Sequence, residues 1–266
     1  MQVCVALIQL EVADRESVAA RERRVLQMID AAALQADVVV LPELWHVGAF
    51  NYPAVREHSE LMSGQLVSAM RESAIRNGIW LHAGSFAERT EKGEIYNTSV
   101  VFDPNGELIA QYRKIHLFGF GEGESEVFAH GEAICVAETI LGGTGLATCY
   151  DLRFPEIFRM LTERGATCVV IASGWPLARV TAWDVLTRAR AIENQAWVLA
   201  CNEVGSQGGV VLGGHSQIVN PQGEVVASAD EVECILYATI DPDLAHTVRE
   251  EFPVLKDIRI EGAFTS

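Results

Sequence analysis

Short, mostly apolar runs recur along this chain, separated by stretches with helical periodicity, and no other feature limits its possible folds as much. The runs occupy residues 3–10, 38–41, 80–86, 99–102, 144–149, 168–172, 197–202, 217–219 and 235–240 and read as strands. Between them, residues 15–35 place Val18, Val25, Met28, Ile29 and Ala32 at helical spacing. Residues 66–77 run into Asn77-Gly78, a helix stop signal; residues 154–164 end at Gly165, and 183–195 form a fourth helical stretch. Strands alternating with helices predict an α/β class with most strands buried.

One internal echo refines that class. Residues 101–110 and 218–227 each read as an apolar strand, a Pro-x-Gly turn and a second apolar strand, a hairpin signature. Two such hairpins predict a pair of sheets with related halves, in place of one doubly wound sheet. No linker, charge block or low-complexity tract interrupts the 266 residues, so a single domain over 1–266 is expected. At 49% hydrophobic residues the chain can fill a sizeable core.

Charge narrows the partners. A net charge of −16 repels phosphate backbones and anionic lipid, so neither nucleic acid nor a membrane surface is expected as a partner. An anionic small molecule remains admissible, because a few arginines in a cleft override the global sign locally. The first ten residues read as a strand and not as a signal peptide, and no window reaches the roughly 20 apolar residues of a membrane span. A cytoplasmic location is the expectation.

The six cysteines form no Cys-x-x-Cys pair and no zinc-type spacing with histidine, which predicts free thiols and no metal site. Cys4, Cys135, Cys168, Cys201 and Cys234 lie in or beside apolar runs, where a thiol is a small hydrophobe. Cys149 differs. It ends one strand and opens the polar turn Tyr150-Asp151-Leu152-Arg153-Phe154-Pro155-Glu156, just before a helix. That setting predicts partial exposure and a helix dipole favouring the thiolate.

A nucleophilic thiol needs a base and an oxyanion holder. Of seven histidines only His116, close to Lys114, and His215, in a Gly-Gly-His-Ser loop, are placed to line a pocket. Glu43 follows the run 38–41 and Pro42, so it emerges at a strand's carboxyl end beside Leu44-Trp45. A carboxylate among apolar neighbours is equipped to take a thiol proton. Lys114 sits in Tyr112-Arg113-Lys114-Ile115-His116-Leu117-Phe118, and an ammonium beside a tetrahedral oxyanion stabilises it directly.

Val-Val-Val-Leu-Pro-Glu-Leu around Glu43, Tyr-Arg-Lys-Ile-His-Leu-Phe around Lys114 and Cys-Tyr-Asp-Leu-Arg-Phe-Pro-Glu from Cys149 occur in that order. Together they resemble the nitrilase superfamily of carbon–nitrogen hydrolases over nearly the whole chain. The resemblance implies a four-layer α-β-β-α sandwich that assembles as a homodimer or higher homo-oligomer. It implies Cys149 as nucleophile, Glu43 as general base then acid, and Lys114 and the backbone N–H of Tyr150 as oxyanion donors, with no cofactor. It also implies a second active-site glutamate, for which Glu124 is expected, with Glu122 and Glu126 as alternatives in the same acidic loop.

The segment from Ser173-Gly174-Trp175-Pro176 through Trp183 to Gln195 is similar to the omega-amidase and deaminated-glutathione-amidase group. These act on small amides with a distant carboxylate, such as 2-oxoglutaramate. Arg153, Trp175 and His116 are then expected to contact substrate, although Arg153 is equally able to pair with Asp151 or Glu156. Glu193 is expected to be a buried structural partner. Gly174 stands where related amidases carry asparagine, a change expected to enlarge the pocket. Nitrile or N-carbamoyl-amine hydrolysis, amine acyl transfer, and non-catalytic binding are the competing readings of the same residues.

Overall fold

The computed structural model describes residues 1–119 and 123–259. Its strands in chain order are β1 (Val3–Gln9), β2 (Glu11–Ala13), β3 (Val38–Val40), β4 (Trp80–Arg89), β5 (Ile95–Phe102), β6 (Leu108–Arg113) and β7 (Cys135–Thr139). There follow β8 (Gly142–Thr148), β9 (Cys168–Ala172), β10 (Trp197–Cys201), β11 (Val204–Gln207), β12 (Val210–Gly213), β13 (Gln217–Val219), β14 (Val225–Ser228) and β15 (Cys234–Ile240). The helices are α1 (Val18–Ala32), α2 (Tyr52–His58), α3 (Gln65–Asn77), α4 (Pro155–Glu163), α5 (Val180–Asn194) and α6 (Leu244–Glu251).

One six-stranded sheet has the order β15-β1-β3-β4-β5-β6 and a second the order β14-β13-β10-β9-β8-β7; β12, β11 and β2 form a small third sheet. The echoed hairpins lie at one edge of each large sheet, β5–β6 with Val101 opposite Ala110 and β13–β14 with Ile218 opposite Ala227. The central strands β1, β3, β9 and β10 include parallel pairs and are buried on both faces, as continuous apolar runs require.

Strand alternation builds the layers. Val5 and Leu7 of β1 face the second sheet and join a cluster with Val170 and Leu199, while Ala6 and Ile8 point outward to Val25 and Ile29 of α1 and Met70 of α3. On the far side, Phe158 and Leu161 of α4 and Trp183 and Ala191 of α5 pack on the second sheet. The layers therefore run α-β-β-α. Helix α1 starts where the Ser17 hydroxyl accepts the Ala20 N–H, and α3 stops at Gly78, whose φ of 62° is the left-handed stop.

Sequence periodicity placed the long elements but missed short ones. Strands β2, β7, β11 and β12 and helices α2 and α6 were not anticipated. Helix α1 is shorter than the 15–35 stretch, and α5 begins at Val180, ahead of Trp183. Among the described residues no helix is long and apolar enough to cross a membrane.

Candidate active site

Four chain segments converge where the carboxyl ends of β3 and β8 meet the ends of β6 and β9. Glu43 follows β3 after Pro42. A bulge between His82 and Ser85 in β4 makes room for that turn. Gly84 is required there: a Cβ on it would stand 2.0 Å from the Pro42 carbonyl oxygen, and its φ is 64°. The Ser85 N–H then donates to the Pro42 carbonyl, and the Ser85 hydroxyl accepts the N–H of Leu44, held at φ 45°. The turn aims Glu43 into the protein, 1% exposed.

Both oxygens of Glu43 are held. Oε1 accepts Lys114 Nζ at 2.7 Å and Asn97 Nδ2 at 2.8 Å, and Oε2 accepts the Gly174 N–H at 2.9 Å. Lys114, just past β6, is 1% exposed, and its Nζ also donates to Glu124 Oε1 at 2.8 Å. A buried ammonium without counter-charges would shed its proton; between two carboxylates it is held charged, well above the ordinary lysine range despite desolvation. Burial and the neighbouring charge of Glu43 raise Glu124 to about 7, with Lys114 opposing. Glu124 Oε2 also accepts the Phe118 N–H at 2.6 Å.

The acidic loop thus contributes Glu124. Glu126 is exposed, its N–H donating to the Gly123 carbonyl and its carbonyl accepting from Arg56; Glu122 lies outside the described residues.

Cys149 follows β8 at φ 44°, a left-handed conformation that costs a β-carbon-bearing residue and is found where function imposes it. Asp151 locks the turn. It accepts the Thr148 N–H at 2.9 Å, the Tyr112 hydroxyl at 2.7 Å and the His116 N–H at 3.0 Å. The expectation of an exposed, dipole-favoured thiolate is overturned. Cys149 is 8% exposed and followed by a 3-10 turn, Cys149–Arg153, before α4 begins at Pro155. Burial, then the charge of Glu43, pushes the thiol well above its ordinary range, with Lys114 opposing. Cys149 rests as a thiol.

These groups end in a narrow cleft with about 380 Å³ of empty space, part of it open to solvent. Glu43, Glu124 and Cys149 form its polar base; Phe50, Phe118, Tyr150 and Trp175 form aromatic walls. Arg153 and Arg179 also line it. Arg153 pairs with neither Asp151 nor Glu156; its guanidinium lies 4.9 Å from the Trp175 ring, and that of Arg179 5.6 Å from the Phe118 ring. Trp175, 2% exposed, is fixed by Nε1 donating to the Arg179 carbonyl at 2.8 Å and by its N–H donating to Asn202 Oδ1 at 2.6 Å.

Four expectations need correction. His116 does not line the cavity: its ring stacks on Phe154 at 3.8 Å and its Nδ1 meets Asp151 Oδ1 at 2.7 Å, so it braces the turn beneath Cys149. His215 likewise faces Asp184, at 3.2 Å. Gly174 does not enlarge the pocket, because a Cβ there would stand 2.5 Å from Ala49 Cβ and 3.0 Å from Glu203 Oε2; that space is filled. Glu193 is half-exposed and not buried, paired with Arg190 at 2.9 Å. Asn97, Asp151, Arg179 and Glu203 escaped the sequence reading, since no local pattern marks them. Among the described residues no group of His, Cys, Asp and Glu could hold a metal ion.

A fold of two sheets between helices, with a buried Glu-Lys-Glu chain beside a strained cysteine, defines a carbon–nitrogen hydrolase. The chain belongs to that family: the carbon–nitrogen hydrolase profile matches residues 4–250. It is 41% identical over 267 residues to the 2-oxoglutaramate amidase of Paenarthrobacter nicotinovorans, covering 98% of this chain and 90% of the relative. It is 35% identical over 265 residues to a human omega-amidase, covering 96% and 94%. A Saccharomyces cerevisiae nitrilase-superfamily structure superposes with a TM-score of 0.88 at 31% identity, covering 97% of each chain. A carbon–nitrogen hydrolase from Helicobacter pylori gives 0.89 at 26% identity, covering 98% and 97%.

Proposed function

We propose that this enzyme hydrolyses the terminal amide of a small, carboxylate-bearing molecule of the 2-oxoglutaramate kind through a thioester on Cys149. The observation that carries this reading is one cavity with an acid–base cluster at its base and, elsewhere in its lining, two arginines that have no carboxylate partner among the described residues. The names of the relatives, 2-oxoglutaramate amidase and omega-amidase, support it.

The groups gathered at the base of the cavity support the following steps. Cys149 Sγ attacks the amide carbon as its proton passes to Glu43, so no standing thiolate is needed. An ammonium has three donors. Two of those on Lys114 are spent on Glu43 and Glu124, leaving one for the tetrahedral oxyanion beside the Tyr150 N–H. Glu43 returns its proton to the nitrogen and ammonia leaves. Water then attacks the thioester, giving its proton to Glu43, and the carboxylate product departs as the thiol re-forms. Glu124 fixes Lys114 throughout.

Arg153 and Arg179 hold the distant carboxylate. Losing one charge-assisted hydrogen bond costs about 1.5–3 kcal/mol, so Arg153→Leu or Arg179→Leu should raise KM about 10- to 100-fold with kcat little changed. The deciding assay compares ammonia release from 2-oxoglutaramate with its uncharged ester, a nitrile and an N-carbamoyl amine. Fastest turnover of the free-acid amide is expected; preference for the ester, nitrile or carbamoyl compound sinks the reading. The same reading includes a cytoplasmic enzyme, supported by six free thiols, and a homodimer, supported by Val185 and Ile192 standing exposed on α5.

A further inference from the structure

One carboxyl group next to Glu43 has no part in these steps. Glu203 joins β10 to β11, its side chain is wholly buried, and neither of its oxygens has a hydrogen-bond partner among the described residues. The fold imposes that burial. The Glu203 carbonyl accepts the Gly214 N–H at 2.8 Å and the next residue, Val204, donates to the Leu10 carbonyl at 2.9 Å, so the main chain cannot swing the side chain outward.

Gly174 shows where the group lies. A Cβ on Gly174 would stand 3.0 Å from Glu203 Oε2 and 3.7 Å from Glu43 Oε2, so the two carboxyls converge on one side of this glycine. Glu203 therefore approaches the oxygen of Glu43 that Lys114 does not hold.

Three titratable groups face Glu203. Glu43 comes from the turn after β3. Arg21 comes from α1, but its guanidinium is committed to Glu16 at 3.1 Å and to the carbonyls of Ala13 and His46. Cys201 comes from β10, its thiol turned toward the Ile8 and Val40 carbonyls. Among the described residues none supplies a bonded cation. An ionised carboxylate in such a place is strongly disfavoured and takes up a proton instead. Burial first, and then the charge of Glu43, push Glu203 well above the usual carboxylate range, with Arg21 opposing.

We propose that Glu203 is a positioning residue for the reaction, a neutral carboxylic acid held beside Glu43 so that the pair carries one negative charge and that charge stays on Glu43. The proposal rests on Glu43 being the general base. Its consequence lies in the second half of each proton cycle. Glu43 must return the thiol proton to the departing nitrogen, and a second negative charge beside it would make it hold that proton more tightly. Ionisation of Glu203 at alkaline pH therefore slows proton return.

The test is the pH profile of kcat for wild type, Glu203→Gln and Glu203→Met. Both substitutions keep a neutral group of similar length; if glutamine disturbs folding, methionine carries the same expectation. The alkaline limb of kcat is expected to move up by about one pH unit or more in either variant, with at least about a third of the neutral-pH rate kept. An unmoved limb overturns the proposal. So does a loss of more than about tenfold at neutral pH in a variant with native circular dichroism, since the carboxyl would then act by its own charge or proton. Glu43→Gln in the same series separates the two ideas: loss of turnover upholds Glu43 as base whatever Glu203 does, whereas an active Glu43→Gln removes both.

Discussion

Cys149→Ala should lower kcat by about ten-thousandfold or more while leaving the fold intact, because no other group in the cavity can form the acyl intermediate. The side chain is small and sits at the end of β8, so its loss removes little packing. The turn itself is held by Asp151 through Thr148, Tyr112 and His116, none of which needs the sulfur. Ammonia release at saturating amide, with circular dichroism and the melting temperature as controls, checks the expectation. Intact mass of the wild-type protein trapped during turnover should show one acyl group on Cys149. An acyl group on Cys168 or Cys201, both wholly buried, or an active Cys149→Ala would sink the assignment. Serine is an informative intermediate. Its hydroxyl keeps the geometry but is a poorer nucleophile, so Cys149→Ser should stay far below wild type even with Glu43 in place.

The resting thiol also explains what could and could not be read from the sequence. The long apolar runs and the order Glu43, Lys114, Cys149 were legible because each depends on its own neighbours along the chain. The protonation of Cys149 was not, because it is set by burial and by Glu43 after β3, Lys114 after β6 and Glu124, which meet only in the fold. Asp151 could be read as one more polar turn residue; its four acceptor contacts come from Thr148 nearby, from Tyr112 on β6 and from His116 just past it. Asn97 is similar. Within β5 it is one of three consecutive polar residues with Thr98 and Ser99, and only pairing with β4 and β6 brings its amide to Glu43. Glu203 is the sharpest case, since a glutamate after a strand ordinarily reads as a solvated charge, and only the fold shows it wholly buried beside Gly174. Short elements such as β11 failed for a different reason. With glycines around it and one residue exposed, it shows no clean period of two.

Lys114→Met should cost both activity and stability, and the pH dependence distinguishes its two roles. The ammonium joins two buried carboxyls at 2.7 and 2.8 Å, and removing one partner from such a cluster typically costs about 3–5 kcal/mol. Without it, Glu124 loses the charge that opposes its upward shift and holds its proton more tightly still than in the unfolded chain. A carboxyl whose folded value is raised contributes stability that is whole below its unfolded value, 4.5 for glutamate, and is lost as pH rises through the folded value. In wild type Glu124 already sits at about 7, so part of this loss falls between those two values. Lys114 adds nothing to it there: its own value is raised above 10.5, so its contribution stays whole through the acid and neutral range. The deficit of Lys114→Met against wild type should therefore be smallest near about pH 5 and widen toward about pH 8. Denaturant unfolding across that range measures it, and a deficit that shrinks as pH rises would show that the ammonium does not compensate these carboxyls. Turnover should fall by about a thousandfold at every pH, because the third donor, aimed at the oxyanion, is lost even where protonation rescues the fold. Lys114→Arg should restore little of it, since a planar guanidinium cannot direct three tetrahedral donors at Glu43, Glu124 and the oxyanion at once.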